Sequence, residues 1–317
     1  MKKRFLAIIL TLVVCSSLTA CSKYNQEAVD LRDAGVTAME SGDYTTAIDD
    51  FNQALGLSMG TVTDLEIDIN YYKAAAQYKA GLTDDAITTY TALIKYDKGN
   101  YKAYFLRGSV YANEAELDSA LKDYDKAIAC DSTNYMLYIQ IYENLSALGF
   151  SDQASTYLTK ALDVSDSSAE ATYYKGRIYY LQGDSDQATT YLTEAKDKGV
   201  DDAKLYLAKI YQDQGDMTSA QSLLEEYAAS DSVTSEALGT LGDIEMASGN
   251  YENALSYYQT GASLESVDNM SQLVKGQVVA LEHLSRYDEA TTLLTQYLET
   301  YPGDTDAEKE LTFLQTR

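Results

Sequence analysis

Eight alanines, Ala47, Ala86, Ala120, Ala154, Ala188, Ala220, Ala254 and Ala290, recur along the chain at intervals of 39, 34, 34, 34, 32, 34 and 36 residues. Spacing of this kind means that one short unit is repeated, with the same small residue needed at the same place each time. The pattern around each alanine is helical. In residues 101–134, Tyr104, Gly108 and Tyr111 share one face at i, i+4, i+7, and Ala120, Tyr124 and Ala127 share another, with a turn expected near Ala115. The implied unit is a pair of short antiparallel helices that cross closely because Gly108 and Ala120 are small. The position of Tyr124 stays large in every unit, as Phe51, Tyr90, Tyr124, Leu158, Leu192, Leu224, Tyr258 and Leu294. The position of Gly108 is looser, as Gly35, Ala74, Gly108, Tyr142, Gly176, Ala208, Gly242 and Val278. Tyr142 and Val278 predict a splayed or shifted pair in the fourth and eighth units.

One such pair buries too little apolar surface to offset the entropy of ordering it, so neighbouring pairs must stack into a continuous core. A bulky side chain at Ala120 or Ala188 is expected to overpack the crossing at a cost of roughly 1–3 kcal/mol. A hydrophobic content of 45% is enough for such a core and argues against disorder. The single Pro and the absence of sustained period-2 alternation exclude a loop-rich all-β chain. Gly42-Asp43, Gly183-Asp184, Gly215-Asp216 and Gly249-Asn250 each read as a helix stop followed by a helix cap. Asp184 and Gln187 have capping-box spacing. The longest interval holds five extra residues around 60–66, expected to form an extended turn or a lengthened helix. Pro302 ends the last pair. Residues 305–317 then place Ala307, Leu311 and Leu314 on one face, as a terminal cap would.

This Gly/Tyr face followed by an Ala/aromatic/Ala face resembles the tetratricopeptide repeat (TPR) unit, and the resemblance covers residues 28–304 plus the cap 305–317. It implies an all-α fold: a right-handed superhelical solenoid of about eight helix-turn-helix repeats with a C-terminal capping helix. It also implies a concave groove lined by the first helix of each repeat. The mapping puts Tyr71, Tyr78, Phe105, Ile139, Tyr173, Arg177, Tyr180, Leu205 and Lys209 along that groove. Aromatic anchors beside a few cations suit peptide capture. The competing reading is that some of these tyrosines only pack between neighbouring first helices. Family members that clamp a chaperone's terminal carboxylate use Lys and Asn in matched places. Here Val36, Ala75 and Ser109 stand where amides are wanted, so that activity is not carried over. Arg177 and Lys209, one repeat apart, are the pair placed to receive an acidic group.

The amino terminus reads as a targeting segment. Lys2, Lys3 and Arg4 precede the apolar run Phe5 to Val14, and Leu18-Thr19-Ala20-Cys21 looks like a bacterial lipobox. The expectation is a lipoprotein signal peptide over 1–20, a lipidated Cys21, and a short linker that completes 21–27. Such a linker reaches at most about 20 Å. The formal charge is −25, and removing the three basic residues with the leader makes it −28. Nucleic acid is then a poor partner, because its phosphates would be repelled. Anionic membrane surfaces would repel the chain too, so acyl chains must hold it there, at about 0.8 kcal/mol per buried methylene. Cys15 leaves with the leader and Cys21 takes the lipid, which leaves Cys130 alone and no internal disulfide.

No catalytic set assembles in the sequence. His283 is the single histidine and Cys130 lies in a different repeat, so neither a metal constellation nor a Ser-His-Asp triad has support. The pairs Asp49-Asp50, Asp84-Asp85 and Asp201-Asp202 sit at helix edges and read as solvated charge. There is no phosphate-cradling glycine loop, and no cofactor is implied. The expected function is a membrane-anchored extracytoplasmic scaffold that binds a protein or peptide in its groove and is not an enzyme. Basic partners would suit its acidic outer surface. The alternative is a helical-repeat lipoprotein that captures a glycan or small ligand on its tyrosines. The near-constant spacing leaves no room for the long loops that such proteins insert.

Overall fold

The computed structural model describes residues 25–57 and 62–316. The leader expected over 1–20 and the lipid site Cys21 lie outside the described residues, as do residues 58–61 of the first interval. The chain divides into two compact units, Met1–Ser165 and Asp166–Arg317. Among the described residues it is all-α, with 17 helices and no strand.

The amino-terminal unit holds four helix pairs: α1 (Gln26–Glu40) with α2 (Tyr44–Gly56), α3 (Asp64–Lys79) with α4 (Thr83–Tyr96), α5 (Tyr101–Asn113) with α6 (Leu117–Cys130), and α7 (Tyr135–Ala147) with α8 (Ser151–Leu162). The carboxy-terminal unit holds four more and a cap. These are α9 (Ala169–Leu181) with α10 (Ser185–Asp197), α11 (Asp202–Asp213) with α12 (Met217–Ala228), α13 (Ser235–Ala247) with α14 (Tyr251–Ala262), and α15 (Met270–His283) with α16 (Tyr287–Thr300), followed by α17 (Thr305–Leu314). Within each unit every helix packs on its chain neighbours, so each repeat is completed by the next. The sequence-predicted repeats are therefore all present as helix pairs.

All eight column alanines are 0% exposed. Opposite them, the small residue of the first helix admits the large residue of the second. A Cβ added to Gly108 would lie 2.9 Å from the Tyr124 ring, and one added to Gly176 would lie 2.7 Å from Leu192. Tyr258 is held between Gly242 of its own repeat and Gly276 of the next. Val278, where the column departs from a small residue, is buried in a cluster with Leu255, Ala290 and Leu294. Tyr142, the other departure, is half-buried against the core of the amino-terminal unit.

The turns within repeats share one construction. At the end of α9, Gly183 adopts φ +79, its amide donates to Tyr180 O and the Asp184 amide donates to Tyr179 O. These bonds satisfy carbonyls that the helix end leaves open. Asp184 then accepts from the Gln187 amide at 3.0 Å and starts α10. The third and eighth repeats make the same turn without glycine, using Ala115 at φ 63 and Ser285 at φ 59. The turn sits where the sequence put it, but an L residue there is strained. In the second repeat the lengthening goes partly into α3, whose start is closed by a capping box between Thr63 and Glu66. The cap α17 buries Ala307 and Leu314, as expected.

Candidate functional site

The first helices carry the residues expected to face a ligand, and the two units treat them differently. In the amino-terminal unit Phe105 is 3% exposed and lies with its ring 5.9 Å from that of Tyr124, while Ile139 is fully buried. Their area is used in core packing and is closed to a ligand. Tyr71 is 9% exposed, and its hydroxyl donates to Asn100 Oδ1 at 2.5 Å, tying α3 to the cap of α5. Burial pushes its phenol up to about 12. Lys102 lies 5.5 Å over the same ring. Tyr78 is half-buried, and burial raises its phenol as well.

In the carboxy-terminal unit the expected residues come together. Tyr173, Arg177 and Tyr180 follow one another along α9 at helical spacing, and Lys209 follows from α11. They meet at Tyr206, which the sequence reading missed. The Arg177 guanidinium lies 5.2 Å and the Lys209 ammonium 4.8 Å from the centre of the Tyr206 ring. Tyr173 and Tyr180 turn T-shaped contacts onto it at 5.9 Å and 5.7 Å. Tyr173 also packs on Tyr174 at 5.0 Å. A tyrosine face attracts a cation through its quadrupole, so one ring orients both basic groups. The signal for Tyr206 was its place three residues before Lys209, on the same helix face. Leu205, the neighbour that the sequence reading chose instead, is buried.

The electrostatics of the cluster are local. Burial raises the Tyr173 phenol above its ordinary value, and the adjacent Tyr206 adds to this while Arg177 opposes it. Burial also raises Tyr180, helped by Asp213, to which its hydroxyl donates at 3.5 Å. Lys209 Nζ pairs with Glu236 Oε1 of α13 at 2.8 Å. The arrangement can receive a flat or acidic group on a preset aromatic and cationic surface. Among the described residues, no group of three or more His, Cys, Asp or Glu side chains is placed to hold a metal ion. No described helix is long and apolar enough to cross a membrane.

The tetratricopeptide repeat profile matches residues 71–135, 143–203 and 205–267, more than half of the chain. The chain belongs to the tetratricopeptide repeat family. It is 22% identical over 236 residues to lipopolysaccharide assembly protein B of Escherichia coli, covering 71% of this chain and 60% of that protein. It is 25% identical over 206 residues to a TPR repeat-containing protein of Methanocaldococcus jannaschii, covering 64% of this chain and 30% of that protein. The chain thus spans less than two thirds of the length of either relative. A tetratricopeptide repeat protein from Parabacteroides merdae aligns with a TM-score of 0.50 and 17% identity, over 81% of this chain and 100% of that one. That likeness shows the helical-repeat fold. A TPR fold is generally a scaffold for binding other proteins, and the cluster at Tyr206 belongs to a scaffold of that kind.

Proposed function

We propose that the protein is a lipid-anchored, extracytoplasmic TPR adaptor that holds another protein, or an extended segment of one, on the first helices of its carboxy-terminal unit. The observation that carries this reading is the convergence of Arg177 and Lys209 on Tyr206, edged by Tyr173 and Tyr180. Tyrosine supplies large area at low entropic cost, and cations fix the orientation of what lies on it. The anchor rests on Leu18-Thr19-Ala20-Cys21 behind a basic and apolar leader. The Escherichia coli relative, named for lipopolysaccharide assembly, is in keeping with a scaffold that serves assembly at the cell envelope.

A photo-crosslinking residue at Tyr180, tested in the native envelope with mass spectrometry, is expected to capture a specific partner. The same residue at Glu225, exposed on α12, is expected to capture none. Equal capture from both positions, or capture unchanged by Arg177→Ala with Lys209→Ala, would refute the binding face. Cys21→Ser should move the protein from the membrane fraction to the soluble one. Retention on the membrane would refute the anchor.

A further inference from the structure

We infer that the edge of the amino-terminal unit where α4 ends and α5 begins lies on an anionic phospholipid surface. This rests on the reading of Cys21 as the lipid site. Four residues lead from Cys21 to Asn25, the N-cap of α1, so the start of α1 stands within about 14 Å of the acylated residue. Antiparallel pairs put the starts of first helices and the ends of second helices on one edge of the unit. Arg32 of α1 lies 3.7 Å from Asp68 of α3, and Asp68 feels the charge of Lys102 at the start of α5. The end of α6 joins them, since the Cys130 thiol donates to Lys98 O at 3.5 Å. The chain therefore enters α1 from the same edge as the α4–α5 turn.

What that turn presents is unlike the rest of the chain. Residues 95–102 hold Lys95, Lys98 and Lys102 against Asp97 alone, in a chain with 24 basic and 49 acidic residues. Lys126 adds a base from the end of α6, where Asp125 is taken by Lys160 at 2.6 Å and Asp131 follows. By contrast, the turns 131–134, 163–168, 229–234, 263–269 and 301–304 carry acids and no base. Lys95, Lys98 and Lys126 are exposed, and none forms an ion pair among the described residues. With so many carboxylates in the chain, these are charges that the fold does not use. Between them Tyr96 is 59% exposed. An amphipathic ring among lysines suits the headgroup layer, where the ring rests at the interface and the ammonium groups meet phosphates. Glu27, Asp30 and Asp64 lie nearer the anchor and are repelled there, so the contact is confined to the α4–α5 turn and the end of α6. The chain as a whole is repelled by anionic lipid. The anchor holds it at the surface, and this patch decides which edge turns down.

The chain has no tryptophan, so single-tryptophan variants report on one place each. The acylated chain isolated from membranes carries either Tyr96→Trp or, on the opposite edge in the α3–α4 turn, Leu82→Trp. Leu82 is 45% exposed, so both positions reach the surface. Each variant is reconstituted in vesicles of acyl-brominated phosphatidylcholine mixed in equal parts with phosphatidylglycerol or with ordinary phosphatidylcholine. Bromine quenches an indole only at the membrane. With phosphatidylglycerol, Tyr96→Trp is expected to lose most of its emission and Leu82→Trp none. Lys95→Gln, Lys98→Gln and Lys126→Gln together should restore the emission, each lysine shifting the orientation about fivefold. Omitting phosphatidylglycerol should restore it as well. Equal quenching at both positions, quenching at neither, or quenching that ignores the lysines and the phosphatidylglycerol would overturn the contact, while flotation with the vesicles would still uphold the anchor. A chain that does not float with the vesicles refutes the anchor, and this contact with it.

Discussion

Both units set a cation among tyrosines on a first helix, Arg107 in one and Lys209 in the other, and the two differ in how deeply the paired acid is buried. In the amino-terminal unit, Arg107 donates from Nε and Nη2 to the two oxygens of Asp123 at 2.7 and 2.8 Å, and from Nη1 to Thr91 at 2.8 Å. Tyr104 and Tyr111 lie 5.9 Å from the guanidinium. The Asp123 side chain is 5% exposed, so the charges are committed to each other within the third repeat, and the Thr91 bond ties that repeat to the second. In the carboxy-terminal unit, Lys209 meets a carboxylate that is mostly in solvent. Residue type is nearly the same in the two places. Burial of the acid decides whether the cation can change partner, because a buried charge cannot do so without a large desolvation cost.

The largest expected effect breaks this comparison directly. Asp123→Ala leaves Arg107, whose side chain is 16% exposed, with the Thr91 hydroxyl but no carboxylate, and should destabilise the protein by about 3 kcal/mol in urea unfolding. Lys209→Met should cost no more than about 1 kcal/mol. Equal losses would erase the distinction between the committed pair and the exposed one. Next, Gly108→Ala should cost roughly 1–3 kcal/mol, because its Cβ meets the Tyr124 ring and the Ala120 carbonyl. A neutral result would mean that the amino-terminal crossing is looser than the structure shows.

Ala115→Gly works in the other direction. It relieves a left-handed residue and should raise stability by about 1 kcal/mol, and Ser285→Gly should do the same in the other unit. The smallest effect is on pH. Burial by itself would raise the carboxyl of Asp304, but the Ala307 amide, the Tyr297 hydroxyl, Lys275 and Ser271 outweigh it and bring the group to about 2 from its ordinary 3.8. The folded state therefore favours the ionised form. The stabilisation is complete above about pH 4 and is lost as pH falls from there toward 2. Asp304→Asn should flatten the melting temperature over that interval, whereas an unchanged slope would mean that other carboxylates set it.

The repeat was legible because its determinants are local and identical from one unit to the next. Ala120 and its seven counterparts must be small wherever two helices touch, and Gly183 with Asp184 needs only its own turn. The candidate site was only partly legible. Tyr173, Arg177, Tyr180 and Lys209 do gather, while Phe105, Ile139 and Leu205 occupy equivalent first-helix places and sink into the packing. Helical phase says which side of a helix a residue takes. It does not say how closely the next repeat approaches. That distance depends on side chains some 34 residues away, and Tyr206 and Glu236 entered the site only through it.

The sequence alone determined the repeat, its register, the helix stops and the identity of the residues at each crossing, because these depend on the chain's own period and on the size of one side chain. The tertiary structure decided which tyrosines stay accessible, which cation is spent on a buried acid and which carboxylate stands at Lys209. Those outcomes depend on solvent access, which the stacking of one repeat on the next creates and no single stretch of sequence contains.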